Sequence, residues 1–359
     1  MAELISNLTI VIPTYNRHYY LLRNIHYLSK KQIKVIVLDG SSVAIDQDLI
    51  SQYKNVSYFH LPISFPERIA FSGNLITTKY AALLGDDDFF LESGLSAIIK
   101  ELEENSDLIS CMGACLNFNI NGKDIIYRPY YNEMNGYHVS NNDPVERMHF
   151  HMSNYTCSSI YSVIRSEFWI KAVGILGEKT FADPAIPELE FELAISYFGK
   201  SKVIPVISWL RSNENPSLAN KLEHDFHDIW NESIFYNEKR ELIKILSNNL
   251  NNSDIDQIEI NIEKSYDLYC NWRKNKNTKI KKSNFSYKSI VNTILPSIII
   301  KKLKFTLNKF IIHFMYNNEF HDQDLMSTLK IMNKKNILFN QTELIELENF
   351  LHNFNQNSI

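Results

Sequence analysis

Three short polar groups, each placed after an apolar run, are where this sequence could do chemistry. Asp86-Asp87-Asp88 follows Tyr80 to Leu84, Asp39 follows Lys34 to Leu38, and Thr14-Tyr15-Asn16-Arg17 follows Leu8 to Ile12 and Pro13. Three adjacent carboxylates repel one another unless a cation or another partner compensates. Oxygen ligands of this kind suit a hard divalent cation, which in turn bridges to a diphosphate. Neither G-x-G-x-x-G nor G-x-x-x-x-G-K-S/T is present, and with 10 glycines in the chain phosphate has to be held by something other than a glycine-rich cradle. A metal is the natural substitute. Taken alone, the acidic run could equally be a solvated loop.

The elements that must position these groups follow from periodicity. Leu8 to Ile12, Lys34 to Leu38, Val56 to Leu61 and Tyr80 to Leu84 read as short strands, the first two buried on both faces. Helical spacing predicts helices over His18 to Lys30, Ile69 to Lys79 and Ser93 to Leu102, with a strand over Asp107 to Met112. Tyr130 to Phe150 is expected to be irregular loop, followed by a strand over Cys157 to Ile164, helices over Ser166 to Val173 and Glu188 to Phe198, and a strand over Lys202 to Leu210. Alternation of this kind makes βαβ units, and ligands of such sheets collect beyond the carboxyl ends of the strands. All three polar groups are therefore expected on one edge.

Together LTIVIPTYNR, VIVLDGSS and LLGDDDF resemble the nucleotide-binding half of a family 2-type glycosyltransferase, and AVGILGEK…PELEFELAISYFGKSKVIPVISWLRSNEN resembles that family's acceptor-side half. Within the family the sequence looks closest to enzymes that assemble bacterial surface polysaccharides. The resemblance implies an α/β fold of the GT-A type, a Rossmann-like, mainly parallel sheet flanked by helices over residues 1–216, with a mostly helical C-terminal extension over 217–359. It implies a nucleoside-diphosphate sugar donor, a saccharide or lipid-linked acceptor, inversion at the anomeric carbon, and Mn2+ or Mg2+.

Carried over by position, Pro13, Thr14, Tyr15 and Arg17 would line the nucleotide, with Thr14 and Tyr15 bordering the base and Asp39 hydrogen-bonding its edge. Asp86 would approach the ribose or the metal, Asp88 would coordinate the metal, and Asp87 could serve either or shape the turn. Arg211 would face the donor, and Asn213 stands where the family often has a His. The catalytic base falls on Glu188 or Glu190, with Asp183 a third candidate. Each position also has a purely structural reading: Asp39 as a helix cap, Glu188 as a first-turn residue favoured by the helix dipole, and His149 and His151 as packing.

Charge is segregated along the chain. Leu268 to Asn318 contains no acidic residue but holds Arg273, Lys274, Lys276, Lys279, Lys281, Lys282, Lys288, Lys301, Lys302, Lys304 and Lys309, leaving 26 of the 37 basic residues against all 41 acidic ones elsewhere. Within it Ser289 to Met315 reads as a basic amphipathic element for an anionic membrane surface, or as a helix packed on the core. No apolar run is long enough to span a bilayer, no signal peptide is recognisable, and four cysteines are too few for a disulfide scaffold. The expectation is a cytoplasmic protein, peripheral on the inner face of the cell membrane, with no nucleic-acid partner. Two rivals remain: a non-catalytic membrane-associated assembly protein with a degenerate transferase domain, and a sugar nucleotidyltransferase.

Overall fold

The computed structural model describes residues 2–215, 225–250, 254–294 and 322–356. Its centre is a ten-stranded sheet in the order β3-β2-β1-β4-β9-β6-β10-β5, with β7 added on β6 and β8 on β10. β1 (Leu8–Thr14), β2 (Lys34–Asp39), β3 (Val56–His60) and β4 (Tyr80–Leu83) pair in parallel, as do β6 (Leu108–Asn121) and β10 (Lys200–Ser212). The short strands β5 (Phe89–Phe90), β8 (His138–Val139) and β9 (Val163–Arg165) and the longer β7 (Asp124–Tyr130) join antiparallel. The expected α/β class, with a flanked, mainly parallel sheet and a helical C-terminal region, is what the chain adopts.

Four local expectations are corrected. The first strand, expected over Leu8 to Ile12 and stopped by Pro13, runs on as β1 to Thr14, with Pro13 paired to Leu38. The helix expected over Ile69 to Lys79 lies earlier, as α4 (Phe65–Ser72; after α1, Ala2–Ile5, α2, His18–Leu28, and α3, Gln47–Ser51), because Ser64 and Glu67 form a capping box and Pro66 sits in its first turn. Residues 144–153 are not loop. Asp143 accepts from the Glu146 N–H and Pro144 opens the helix α6 (Pro144–Ser153). Conversely, Cys157 to Ser162 is turn rather than strand, and only Val163–Arg165 pairs with the sheet.

The helices after residue 225 pack onto the sheet domain rather than beside it. One continuous apolar core runs from Ile5 to Leu351. The long helix α11 (Ile255–Ile294) lies against α6, where the His149 ring meets the Asn261 carbonyl at 3.3 Å. Near the C-terminus, α12 (Leu325–Lys334) backs β7, and α13 (Gln341–Gln356) brings Phe350 against Tyr27 and Phe89. Glu343 of α13 accepts the Glu92 and Ser93 N–H groups at 2.5 and 3.1 Å, capping α5 (Glu92–Glu104), which follows the acidic turn. No helix among the described residues is long and apolar enough to cross a membrane. Of the basic segment Ser289 to Met315, residues 295–315 lie outside the described residues.

Candidate active site

The ends of β1, β2 and β4 meet at one edge, and side chains from each tie them together. Asp39 is fully buried; its Oδ1 accepts from the Ser41 N–H at 2.8 Å, and its Oδ2 meets Tyr58 Oη at 2.6 Å and His18 Nε2 at 3.0 Å. Burial alone would raise its pKa, but hydrogen bonds from Ser41, Tyr58 and His18 outweigh this and hold the carboxyl below its usual range. Arg68, from α4, donates Nη1 to the Thr14 and Leu38 carbonyls at 2.7 and 2.9 Å, fastening β1 to β2. Residue 40 must be glycine for this, since a Cβ there would stand 2.5 Å from Arg68 Cζ. Asn16 takes a left-handed φ of 55°, which Asn tolerates, and turns Arg17 back over the edge. Tyr15 is 61% exposed, so its ring is free to border a base.

The acidic turn is divided in two. Asp86 Oδ1 and Asp87 Oδ2 lie 2.8 and 2.5 Å from the same Arg17 nitrogen, and Thr14 Oγ1 donates to Asp86 Oδ2 at 2.7 Å. Desolvation pushes the Asp86 pKa up to about 6 despite Arg17 and Thr14. Asp88 is turned inward: Trp209 Nε1 and the Ser212 N–H donate to its two oxygens at 3.0 and 2.8 Å. Its carboxyl pKa is raised by burial and by the Asp87 charge. Asp88 therefore anchors β10, while Asp86 and Asp87 share the Arg17 guanidinium. Buried Asn24 shapes the turn by donating to the Gly85 and Asp88 carbonyls at 3.0 and 2.7 Å. A second acidic grouping, Asp225, His227 and Asp228, brings one ligand-type atom from each within 4.8 Å, but Asp225 already accepts from Arg273 and Asn277 at 3.1 Å.

On the other side stands α8 (Ile186–Phe198), and its rotation separates the candidate bases. Glu188 accepts from Tyr155 Oη at 2.5 Å and lies within electrostatic range of Arg211 and Arg273. Crowding desolvates the carboxyl and raises its pKa, against the pull of Tyr155 and both arginines. The Tyr161 hydroxyl feels both Glu188 and Asp88, and its ring stacks on Trp209 at 4.4 Å, so one aromatic wall connects the two carboxyls. Arg211 projects over the Tyr130 ring, 5.3 Å from its centroid.

Glu190 faces away, toward Tyr266 of α11, and is 2% exposed. Asp183 accepts from the Ala185 N–H at 2.7 Å and shapes the entry to α8. Asn213 closes the end of β10, its N–H on the Phe118 carbonyl at 2.8 Å. His151 is fully buried between Tyr137 and Glu192, at 2.8 and 3.0 Å. Glu192 in turn accepts from the Ser159 and Ile160 N–H groups, which sets the turn carrying Tyr161. Both His149 and His151 thus serve packing.

Burial raises the Glu190 pKa from 4.5 to about 8, so near neutrality the folded protein holds a proton that the unfolded chain has released. The stability this contributes is complete below 4.5 and is lost as pH rises through about 8. Glu190→Gln is expected to raise the melting temperature above pH 8 by roughly 3 °C, for about 2 kcal/mol, and to change little near pH 5. A pH-independent shift in thermal denaturation would contradict this placement.

Sequence spacing did not reveal His18, Tyr58, Arg68, Tyr155, Tyr161 or Trp209. Only Arg68 had a local signal, the capping box at Ser64 and Glu67 that places it on a helix facing the edge.

With this geometry in view, the profile described as Glycosyl transferase family 2 matches residues 9–154. The match spans 146 of the 359 residues. The matched residues include the ends of β1, β2 and β4 and the acidic turn, whereas α8, Glu188 and Arg211 lie beyond them. No curated protein matches the sequence. Among solved structures, S. aureus TarS 1–349 is 12% identical and covers 76% of this chain and 91% of its own, with a TM-score of 0.44. TarS 1–349 in complex with UDP-GlcNAc is 13% identical, covers 70% of each chain and has a TM-score of 0.46. All four cysteines can be set aside for redox chemistry: Cys111, Cys115, Cys157 and Cys270, the last in α11, are free and buried.

Proposed function

We propose that the chain transfers a sugar, with inversion, from a nucleoside-diphosphate sugar to a saccharide or lipid-linked acceptor in surface polysaccharide assembly. The observation that carries the reading is the placement of Glu188, alone of the candidate bases, on the aromatic wall that it shares with Asp88 and within electrostatic range of Arg211. In this scheme the acceptor oxygen attacks the anomeric carbon as the bond to the diphosphate breaks, through an oxocarbenium-like transition state. Glu188 takes the acceptor proton, held in orientation by Tyr155. Tyr15 and Asp39 border the base, His18 being the group that covers Asp39.

Asp86 and Asp87 would hold Mn2+ or Mg2+, a fit supported by two carboxylates already sharing one guanidinium nitrogen as a cation. Such an ion supplies positive charge opposite the departing diphosphate. Arg17, about one-third exposed at 34%, is placed to meet the same oxygens. The basic segment Ser289 to Met315 extends the proposal to a peripheral contact with anionic membrane on its inner face, beside a lipid-linked acceptor.

The test is calorimetric titration of UDP, GDP, CMP and dTDP, with and without Mn2+, into the wild type and Asp87→Ala. One nucleotide is expected to bind in a metal-dependent manner, with affinity reduced about 100-fold in the variant, as for loss of a charged ligand worth about 3 kcal/mol. Absence of binding by all four would favour the degenerate assembly protein instead.

A further inference from the structure

Beside Glu188, Arg211 begins a row of side chains across the sheet. β10, β6 and β7 run side by side, and their register sets Arg211 opposite Asn117 and Asn117 opposite Arg128. Residues opposed across neighbouring strands share a face, so these three side chains form one row. Arg128 and Arg211 at the two ends of the row are partly exposed, and Asn117 between them is buried. On β7, Ile125, Tyr127 and Pro129 are buried beneath α12 and α13, whereas Arg128 and Tyr130 on the opposite face stay partly exposed. A two-residue Gly122-Lys123 turn between paired Asn121 and Asp124, with Gly122 at a φ of 64°, fixes the hairpin and hence the pairing of Asn117 with Arg128.

The row consists of hydrogen-bond donors. Asn117 is 3% exposed, and its Nδ2 has no hydrogen-bond partner among the described residues; the same holds for Arg128 Nε. The two guanidinium groups flank one ring, Arg128 Cζ 5.6 Å and Arg211 Cζ 5.3 Å from the Tyr130 centroid. Asp88 and Glu188 act on Arg211 through space, but among the described residues no carboxylate lies within the 4.0 Å of an ion pair with either arginine. Buried donors left without acceptors carry an uncompensated desolvation cost, which an arriving oxyanion removes. Guanidinium forks match such groups geometrically. Three donors reaching in from three strands suit a group with three outward oxygens better than a carboxylate with two.

We propose that Arg211, Asn117 and Arg128 bind a phosphate group carried by the acceptor. The proposal rests on the transferase reading of the same cleft and deepens it. Arg211 stands beside the acidic turn, close to Asp88, whereas Arg128 on β7 lies one strand beyond β6 and marks the end of the row away from the donor. The donor edge hangs on β1 and β2, with Asp39 and Arg17, while β6, β10 and β7 lie beyond β4 and β9. An acceptor anchored by its phosphate in the row presents a neighbouring hydroxyl to Glu188. The row thus selects which acceptors are aligned for transfer.

The experiment titrates inorganic phosphate, and separately UDP with Mg2+, into the full chain for the wild type, Arg128→Ala and Arg128→Gln. Trp209 beside the row serves as a fluorescent reporter. Both variants are expected to weaken phosphate binding about tenfold, as for one charged hydrogen-bonding group, while UDP affinity stays within about twofold. The Gln variant keeps the stem packed on Tyr130, so it decides the matter where the Ala variant fails to fold. Phosphate affinity unchanged in both variants, or no phosphate binding by the wild type, would overturn the proposal. An equal loss of phosphate and UDP affinity would assign the row to the donor and overturn it as well. Arg128-dependent phosphate binding without any UDP binding would support the anion subsite and remove the donor reading.

Discussion

Glu188→Gln is expected to slow transfer about 100- to 10,000-fold while leaving nucleotide binding nearly unchanged. The substitution keeps shape and hydrogen-bonding capacity but removes the site that accepts a proton. Glu188 is suited to this role by its surroundings: burial raises its pKa, and the Glu192 charge adds to that, while Tyr155, Arg211 and Arg273 keep the ionised form accessible. A base works only when ionised, so the transfer rate of the wild type should climb with pH through this raised pKa. In the Gln variant that acidic limb should vanish. Were Glu188 merely a first-turn residue favoured by the helix dipole, Gln would cost only about 0.3–1 kcal/mol of stability and leave the rate alone. Retained turnover with a small drop in melting temperature would therefore decide for the structural role.

The second large effect concerns stability. Arg23 is fully buried in α2, and its guanidinium donates to both Glu214 oxygens at 3.1 and 2.5 Å. Tyr20 and Phe89 lie under the same cation at 5.1 and 5.5 Å, and Nη2 reaches the Asp87 carbonyl at 3.5 Å. Arg23→Ala removes one partner of a buried pair and leaves the Glu214 charge uncompensated, a loss of about 3–5 kcal/mol. Denaturant unfolding measures it. Adding Glu214→Gln should recover a substantial part, because the stranded charge is then gone. A single-variant loss below about 1 kcal/mol would show that the pair is not held as described. Because Glu214 follows Ser212 and precedes Asn215, which donate to Asp88 and Asp87 at 2.8 and 3.0 Å, the variant should also weaken nucleotide binding.

Legibility varied with the range of the interaction. The strands ending at Thr14 and Asp39 and the acidic turn after β4 were readable because apolar runs and the polar residues that stop them are adjacent in sequence. Helix starts were readable in principle too: α4 and α6 are announced by Ser64-x-x-Glu67 and by Asp143-Pro144, signals overlooked in favour of apolar spacing downstream and of turn-like composition. The short β9 was overextended because a buried turn, tied down by Glu192, carries the same apolar residues as a strand.

By itself, then, the sequence determined the sheet class, the edge where ligands collect and the residue types gathered there, since each depends on neighbours a few positions apart. Only the tertiary structure decided which of those residues face one another. Glu188 and Glu190 are two positions apart, yet helical rotation points one at the cleft and the other at α11. Asp88 differs from Asp86 and Asp87 because Trp209, 121 residues away, reaches its carboxylate. Arg23 finds Glu214 across 191 residues, and Arg128 joins Arg211 only through strand register. Such partners are chosen by how the chain closes on itself, and no local spacing records that choice.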